Sequence, residues 1–178
     1  TLPEKTKKRL KIKKKPITES SVIYTELSKS ITSKLSSKEK RDQGIFFTPQ
    51  DIIIKMLNII KNINIPIKTV LEPSCGSCEF INSIDNHFNG IDITGVELND
   101  TIYNDIKDLN FNNNVNIIHS DFITWSSTNT AKYDLIIGNP PFFVKKRSDV
   151  DKRYYKYFNG RPNIYILFII EALNKLKE

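Results

Sequence analysis

Three carboxylates and one rigid turn hold most of the chemistry this sequence could do. Glu72, Glu97 and Asp121 each follow a short apolar, β-branched run, and Asn139-Pro140-Pro141-Phe142 follows a fourth. Between the first two lies Ser74-Cys75-Gly76-Ser77, small residues that let a backbone come close to a ligand. A carboxylate ~20 residues after such a turn suits a ribose diol, which describes Glu97. Asp121 suits an exocyclic amine such as N6 of adenine. Simpler readings stand beside these. Glu97 alone reads equally well as a surface carboxylate, and Asp121 as a turn residue. Cys75 and Cys78 have the spacing of a redox or metal pair, but His87 and His119 are not at ligand spacing. For the double proline the bland reading is weak. It spoils any continued ladder and must hold a rigid, exposed shape.

The charge around these residues narrows the ligand. Residues 72–134 hold ten acids and two bases. That disfavours a pyrophosphate at a helix N-terminus and favours a cationic, hydroxyl-rich molecule. S-adenosylmethionine, with its sulfonium, ammonium, diol and adenine, meets each demand.

The elements that must position these groups follow from periodicity. Thr69–Leu71, Ile93–Val96, Val115–Ile118 and Leu135–Ile137 read as strands. Helices are predicted from Thr48, as N-cap, with Pro49 first inside, then over Phe80–Ile84, after Asn99, and over Asn163–Lys177. Strands alternating with helices imply an α/β fold, a mostly parallel sheet with helices on both faces. In such sheets ligands bind beyond the carboxyl ends of the strands, where the acids and the Asn-Pro-Pro-Phe turn fall. Ile23, Leu27, Ile31 and Leu35 form a stripe, so 18–41 is predicted as a helical lead-in.

The chain has 178 residues and a formal net charge of +7. Eight of the bases and one acid lie in residues 1–15, so the remainder balances. This excludes a uniformly basic coat and marks 1–17 as a solvated, disordered arm that could touch phosphates or serve as a nuclear address. No apolar run reaches the ~18 residues of a membrane span. Two cysteines make no disulfide scaffold, so an intracellular protein is expected, cytoplasmic or nuclear if the arm is an address.

In order and spacing, these segments resemble a known family. Asn139-Pro140-Pro141-Phe142 resembles the catalytic motif of amino-methyltransferases, and Leu71–Phe80 their first cofactor motif. Gly44-Ile45-Phe46-Phe47-Thr48-Pro49 resembles the upstream motif of the γ-ordered N6-adenine DNA methyltransferases. Ser120–Phe122, Tyr133–Gly138 and Asn163–Tyr165 match the same family. The likeness covers 42–178, taken as the catalytic domain. It implies a Rossmann-like methyltransferase fold, S-adenosylmethionine as cofactor, and methyl transfer to N6 of a flipped adenine in DNA.

The resemblance also implies roles. Thr48, Glu72, Ser74 and Gly76 would line the methionine and ribose, Glu97 would take the ribose hydroxyls, and Asp121 and Phe122 would hold the adenine. Asn139 and the Pro140 carbonyl would accept from the target amine, next to Pro141, and Phe142 would stack on the base. The family usually has glycine where Cys78 stands. It also continues past the last helix with further strands and a target-recognition region. A chain that starts at Thr1 and stops at Glu178 is therefore expected to be incomplete, drawing on further chain or a second subunit.

Beside the catalytic turn, residues 145–161 carry Lys145, Lys146, Arg147, Lys152, Arg153, Lys156 and Arg161, interleaved with Tyr154, Tyr155, Tyr157 and Phe158. Bases among aromatics suit phosphates and displaced bases. Two other functions remain compatible: methylation of RNA or protein glutamine by the same turn, and a truncated domain that binds cofactor or nucleic acid without catalysis.

Overall fold

The structure, a computed structural model, describes residues 23–63 and 65–178. The basic arm and the start of the lead-in lie outside the described residues. Four parallel strands form the sheet: β1 (Thr69–Glu72), β2 (Asp92–Glu97), β3 (Asn114–His119) and β4 (Leu135–Ile136), in the order β3-β2-β1-β4. The chain walks outward from β1 to β3, then crosses back to place β4 on the other side of β1. The loops after β1 and β4 therefore diverge, and a crevice opens between them.

Seven α-helices surround the sheet: α1 (Glu26–Lys34), α2 (Ser37–Asp42), α3 (Gln50–Ile63), α4 (Glu79–Asp85), α5 (Asp100–Ile106), α6 (Phe122–Thr128) and α7 (Ile164–Lys175). Successive strand side chains alternate between two cores. Val70, Ile93 and Ile137 face one core with Ile53, Ile81 and Ile102. Leu71 and Val96 face the other with Phe122, Leu167 and Phe168. Layers on both faces are what the strand–helix alternation requires.

The structure differs from the expected elements in three places. The lead-in is two helices rather than one. Leu35 turns extended and buries itself, and Ser36 restarts the helix with a capping box, its hydroxyl accepting from Glu39 N while the Glu39 carboxylate accepts from Ser36 N. Helix α3 begins one residue later than expected: the Pro49 carbonyl accepts from Ile52 and Ile53, so Pro49 rather than Thr48 stands at the cap. The short helix α6 was not expected, because Phe-Ile-Thr-Trp-Ser-Ser-Thr has poor helix propensity. The Asp121 carboxylate caps it at Thr124 N (2.8 Å), and Ser126 donates to the buried Glu171 of α7 (2.6 Å).

Candidate functional site

The crevice between β1 and β4 is stitched across its mouth. Ser74 Oγ, after β1, donates to the main-chain carbonyl of Asn139, after β4, at 3.1 Å. The segment before α3 closes over the top. Gly44 has a φ of +61°, and a Cβ there would stand 2.6 Å from Phe142 N, so only glycine lets this loop lie on the turn. Asn139 Nδ2 donates to the Phe46 carbonyl at 3.0 Å. A carbonyl can only accept, so this contact orients the amide: the NH₂ faces Phe46, and Oδ1 is left without a partner among the described residues, able to accept. Phe142 is half exposed and packs against Tyr165, with ring centroids 5.5 Å apart.

Beneath this turn is a pocket of about 700 Å³, counting its mouth open to solvent. Its lining includes Ser74, Gly76, Glu97, Asp121, Phe122, Asn139 and Pro141 from the sequence-derived set, and its only charged residues are the two acids. Glu97 ends β2 and is 7% exposed. Its Oε2 accepts from Gly76 N (2.9 Å) and its Oε1 from Asn99 N (2.8 Å). Burial raises its pKa, and the backbone donors from Asn99 and Gly76 hold the rise back. Each oxygen keeps a second lone pair for a ligand hydroxyl. Gly76 has a φ of +51°, and a Cβ there would press to 3.2 Å on the Phe47 ring. Asp121 spends Oδ1 on capping α6. Phe122 is 2% exposed and packs on Phe168 at 5.0 Å, so it offers a ligand little area.

Thr48, Glu72, Pro140 and Phe142 do not line this pocket. Thr48 follows the lining residues Ile45, Phe46 and Phe47 and precedes α3. Glu72 lies at the end of β1, next to the pocket residues Pro73 and Ser74, and is 2% exposed. Its Oε2 is buried without a hydrogen-bond partner. Burial, and then the nearby Cys78, Glu97 and Glu79, push its pKa well up. Sequence reasoning did not assign roles to Phe46, Phe47, Leu98 and Phe143, which also line the pocket. An exposed leucine directly after a strand-end acid (Leu98, 55% exposed) was a readable signal.

Cys75 and Cys78 are both buried free thiols. Hydrogen bonding of the Cys75 thiol toward Cys78, together with burial, raises it well above its ordinary pKa. Cys78 holds a φ of +60°, a conformation glycine adopts more readily and the one its place in the family motif suggests. Among the described residues no cluster of three or more His, Cys, Asp and Glu could hold a metal ion, and no helix is long and apolar enough to cross a membrane.

The basic segment forms a lip closed at its base. Val144 and Asn163 form an antiparallel bridge, and Lys145 N donates to the Pro162 carbonyl (2.9 Å). A buried anchor holds its middle: Tyr154 OH donates to Glu171 Oε1 at 2.5 Å, and Arg153 Nη2 lies 3.6 Å from the same carboxylate. Of the lip cations, Arg153 is thus turned toward the anchor. Arg147 lies over the Tyr155 ring (4.2 Å) and Lys156 over Tyr157 (4.9 Å). Lys146 and Lys152 are exposed, and no ion pair holds Lys145, Lys146 or Lys152 among the described residues.

Comparison with known proteins places this geometry in a family. The model of the Eco57I restriction-modification methylases matches residues 5–178. The chain is 33% identical over 157 residues to the modification methylase CviBIII of Paramecium bursaria Chlorella virus NC1A, covering 87% of this chain and 40% of that protein. It is 30% identical over 168 residues to the type II methyltransferase M.AccI of Acinetobacter calcoaceticus, covering 88% and 30%. The chain thus spans less than half the length of these curated relatives. A solved Listeria monocytogenes chain assigned to the class I S-adenosylmethionine-dependent methyltransferases superposes with a TM-score of 0.58 at 17% identity, covering 85% of this chain and 47% of that one. The likeness shows that the α/β fold, with its parallel sheet between helices, is the class I methyltransferase fold. The chain belongs to the Eco57I restriction-modification methylase family.

Proposed function

We propose that this chain is the cofactor-binding and catalytic part of an enzyme that methylates N6 of adenine in DNA. One observation carries the reading: two openings of opposite charge meet at one wall, and the Asn139–Phe142 turn reaches both. Among the described residues, the pocket holding Glu97 and Asp121 carries no base, and the opening beyond the Ile45–Phe47 wall carries no acid. Asn139 and Pro141 line the first, and Phe142 lines the second.

The residues present fit S-adenosylmethionine. The buried, unpartnered Oε2 of Glu72 is the kind of group a cationic ligand end satisfies. Gly76 leaves room where a Cβ would press on Phe47. Glu97 would orient the ribose diol, the remaining oxygen of Asp121 the adenine amine, and Leu98 would cover the ring. Bound there, S-adenosylmethionine supplies an electrophilic methyl group on a sulfonium that carries its own leaving group.

The rest of the work falls to the chain. An exocyclic N6 lone pair is delocalised into its ring, so the amine is a poor nucleophile. Asn139 Oδ1 and the Pro140 carbonyl would accept from its two hydrogens. That favours a pyramidal nitrogen with its lone pair aimed into the pocket, where positioning supplies most of the rate. Phe142, half exposed, would stack on the extruded base. The printed names of the relatives, modification and type II methyltransferases, support DNA as substrate.

The test is a substrate panel. Full-length protein with methyl-labelled cofactor should label DNA, and Asn139→Ala should abolish the label. Labelling of RNA or protein with none on DNA would refute this substrate.

A further inference from the structure

Across the Ile45–Phe47 wall from the acidic pocket lies a larger opening, about 1690 Å³ counting its mouth. Helices α1 and α2 form one side, and Phe46 and Phe142 the other. Among the described residues its charged lining is Lys29, Lys40 and Arg41, with no acid. Among the described residues Lys40 Nζ meets only the Thr32 carbonyl, at 3.4 Å. Lys29 pairs with Glu26 and Arg41 with its sequence neighbour Asp42, with side chains between 51% and 90% exposed. Such solvated pairs are worth little, so all three charges can turn to an incoming anion. The Tyr24 hydroxyl also lines the cleft and has no hydrogen bond among the described residues.

Cations alone would describe any solvated helix face. Here they face two large exposed aromatics, Phe46 at 64% and Phe142 at 48%. Exposed rings beside a cationic groove make a stacking platform for a nucleic-acid strand. The cleft is also continuous with the site: Phe142 belongs to the catalytic turn, and the basic lip begins at Lys145.

We propose that this cleft holds the phosphodiester backbone of the DNA strand adjoining the extruded nucleotide. Lys40 and Arg41 contact its phosphates, and Phe46 lies beneath a neighbouring base. The inference rests on the DNA reading above and adds to it a second anchoring surface, on the lead-in helices. The strand then runs from the lip, over Phe142, to α2.

Fluorescence anisotropy of a labelled oligo(dA) 20-mer with full-length protein across a salt series tests it. Lys40→Ala/Arg41→Ala should weaken binding about tenfold or more at low salt. It should also flatten the log–log salt slope by about 0.7 per lost contact. Phe46→Ala should weaken binding about fivefold or more with the slope unchanged. Thermal unfolding checks that each variant is folded. A double variant with wild-type affinity and slope would overturn the cleft alone. Wild-type protein that binds cofactor but no oligonucleotide would overturn the DNA reading and the cleft with it. Equal loss of labelled poly-L-glutamate binding in the double variant would assign the cleft to acidic polypeptides and overturn the proposal.

Discussion

The Asn139 side-chain amide donates to the main-chain carbonyl of Phe46 across 3.0 Å, joining two segments 93 residues apart in sequence. The loop before α3 thereby decides which amide atom the catalytic turn presents. Replacing Asn139 with aspartate would set a carboxylate oxygen against a carbonyl oxygen. Asn139→Asp should therefore cost about 10²–10³ in methyl transfer, as loss of one preorganised polar contact does elsewhere. Single-turnover rates check this.

Gly44 should be as sensitive as the turn it covers. An alanine methyl would meet Phe142 N at 2.6 Å in a backbone with φ +61°. Gly44→Ala is expected to cut methyl transfer at least about tenfold and to lower the melting temperature by several degrees. A variant with wild-type rate and melting temperature would mean that the loop does not rest on the turn in solution.

Glu97 holds Gly76 N and Asn99 N together, one on each oxygen. Glu97→Gln points an NH₂ at one of these donors and loses a charge-assisted bond worth about 1.5–3 kcal/mol. The carboxylate proposed to accept from the ribose hydroxyls is lost with it, and a charge-assisted bond of that size to the ligand corresponds to a fall in cofactor affinity of roughly 10- to 150-fold. Calorimetric titration reads it directly.

Glu72 gives a pH signature. Its folded-state pKa is raised, chiefly by burial. The folded protein then binds the proton more tightly than the unfolded chain, so this group's contribution to stability falls as pH rises from 4.5 through its raised folded value. Glu72→Gln removes that loss. The variant should melt higher than wild type at neutral pH, with the gap closing toward pH 4.5, and should bind S-adenosylmethionine more weakly. Melting curves between pH 4.5 and 8 check the first part. A variant less stable at pH 7 would contradict the burial argument.

The lip depends on its anchor. Tyr154→Phe leaves the buried Glu171 Oε1 without its 2.5 Å donor, at a cost of about 1–3 kcal/mol. Thermal unfolding should show it, and oligonucleotide affinity should drop as the lip loosens.

Much of this was legible before any coordinates. β-branched runs marked all four strands, and strand–helix alternation implied layers on both faces. The strand-end acids Glu97 and Asp121 and the turn at Asn139 could be placed because a parallel sheet gathers its carboxyl ends on one edge. What stayed hidden depended on contacts between distant segments. Helix α6 exists through its Asp121 cap and its packing on α7, against its own propensity. The break at Leu35–Ser36 follows from burial of Leu35 and the Glu39 capping box, which one stripe of spacing-four residues concealed. Thr48 was placed at the helix cap, but Pro49 stands there. Glu72 ends β1 where the sequence puts it, but its burial to 2% exposure follows from packing between distant segments. Arg153 read as a free lip cation because Glu171, its partner, lies 18 residues further on.

The most direct measurement is nucleoside analysis of DNA after reaction. Full-length protein is incubated with S-adenosylmethionine and mixed-sequence genomic DNA, the DNA is digested, and methylated nucleosides are identified by mass spectrometry. The account predicts N6-methyladenine with wild-type protein and its disappearance in Asn139→Ala. Methylation at another base position, or N6-methyladenine that persists in Asn139→Ala, would contradict it.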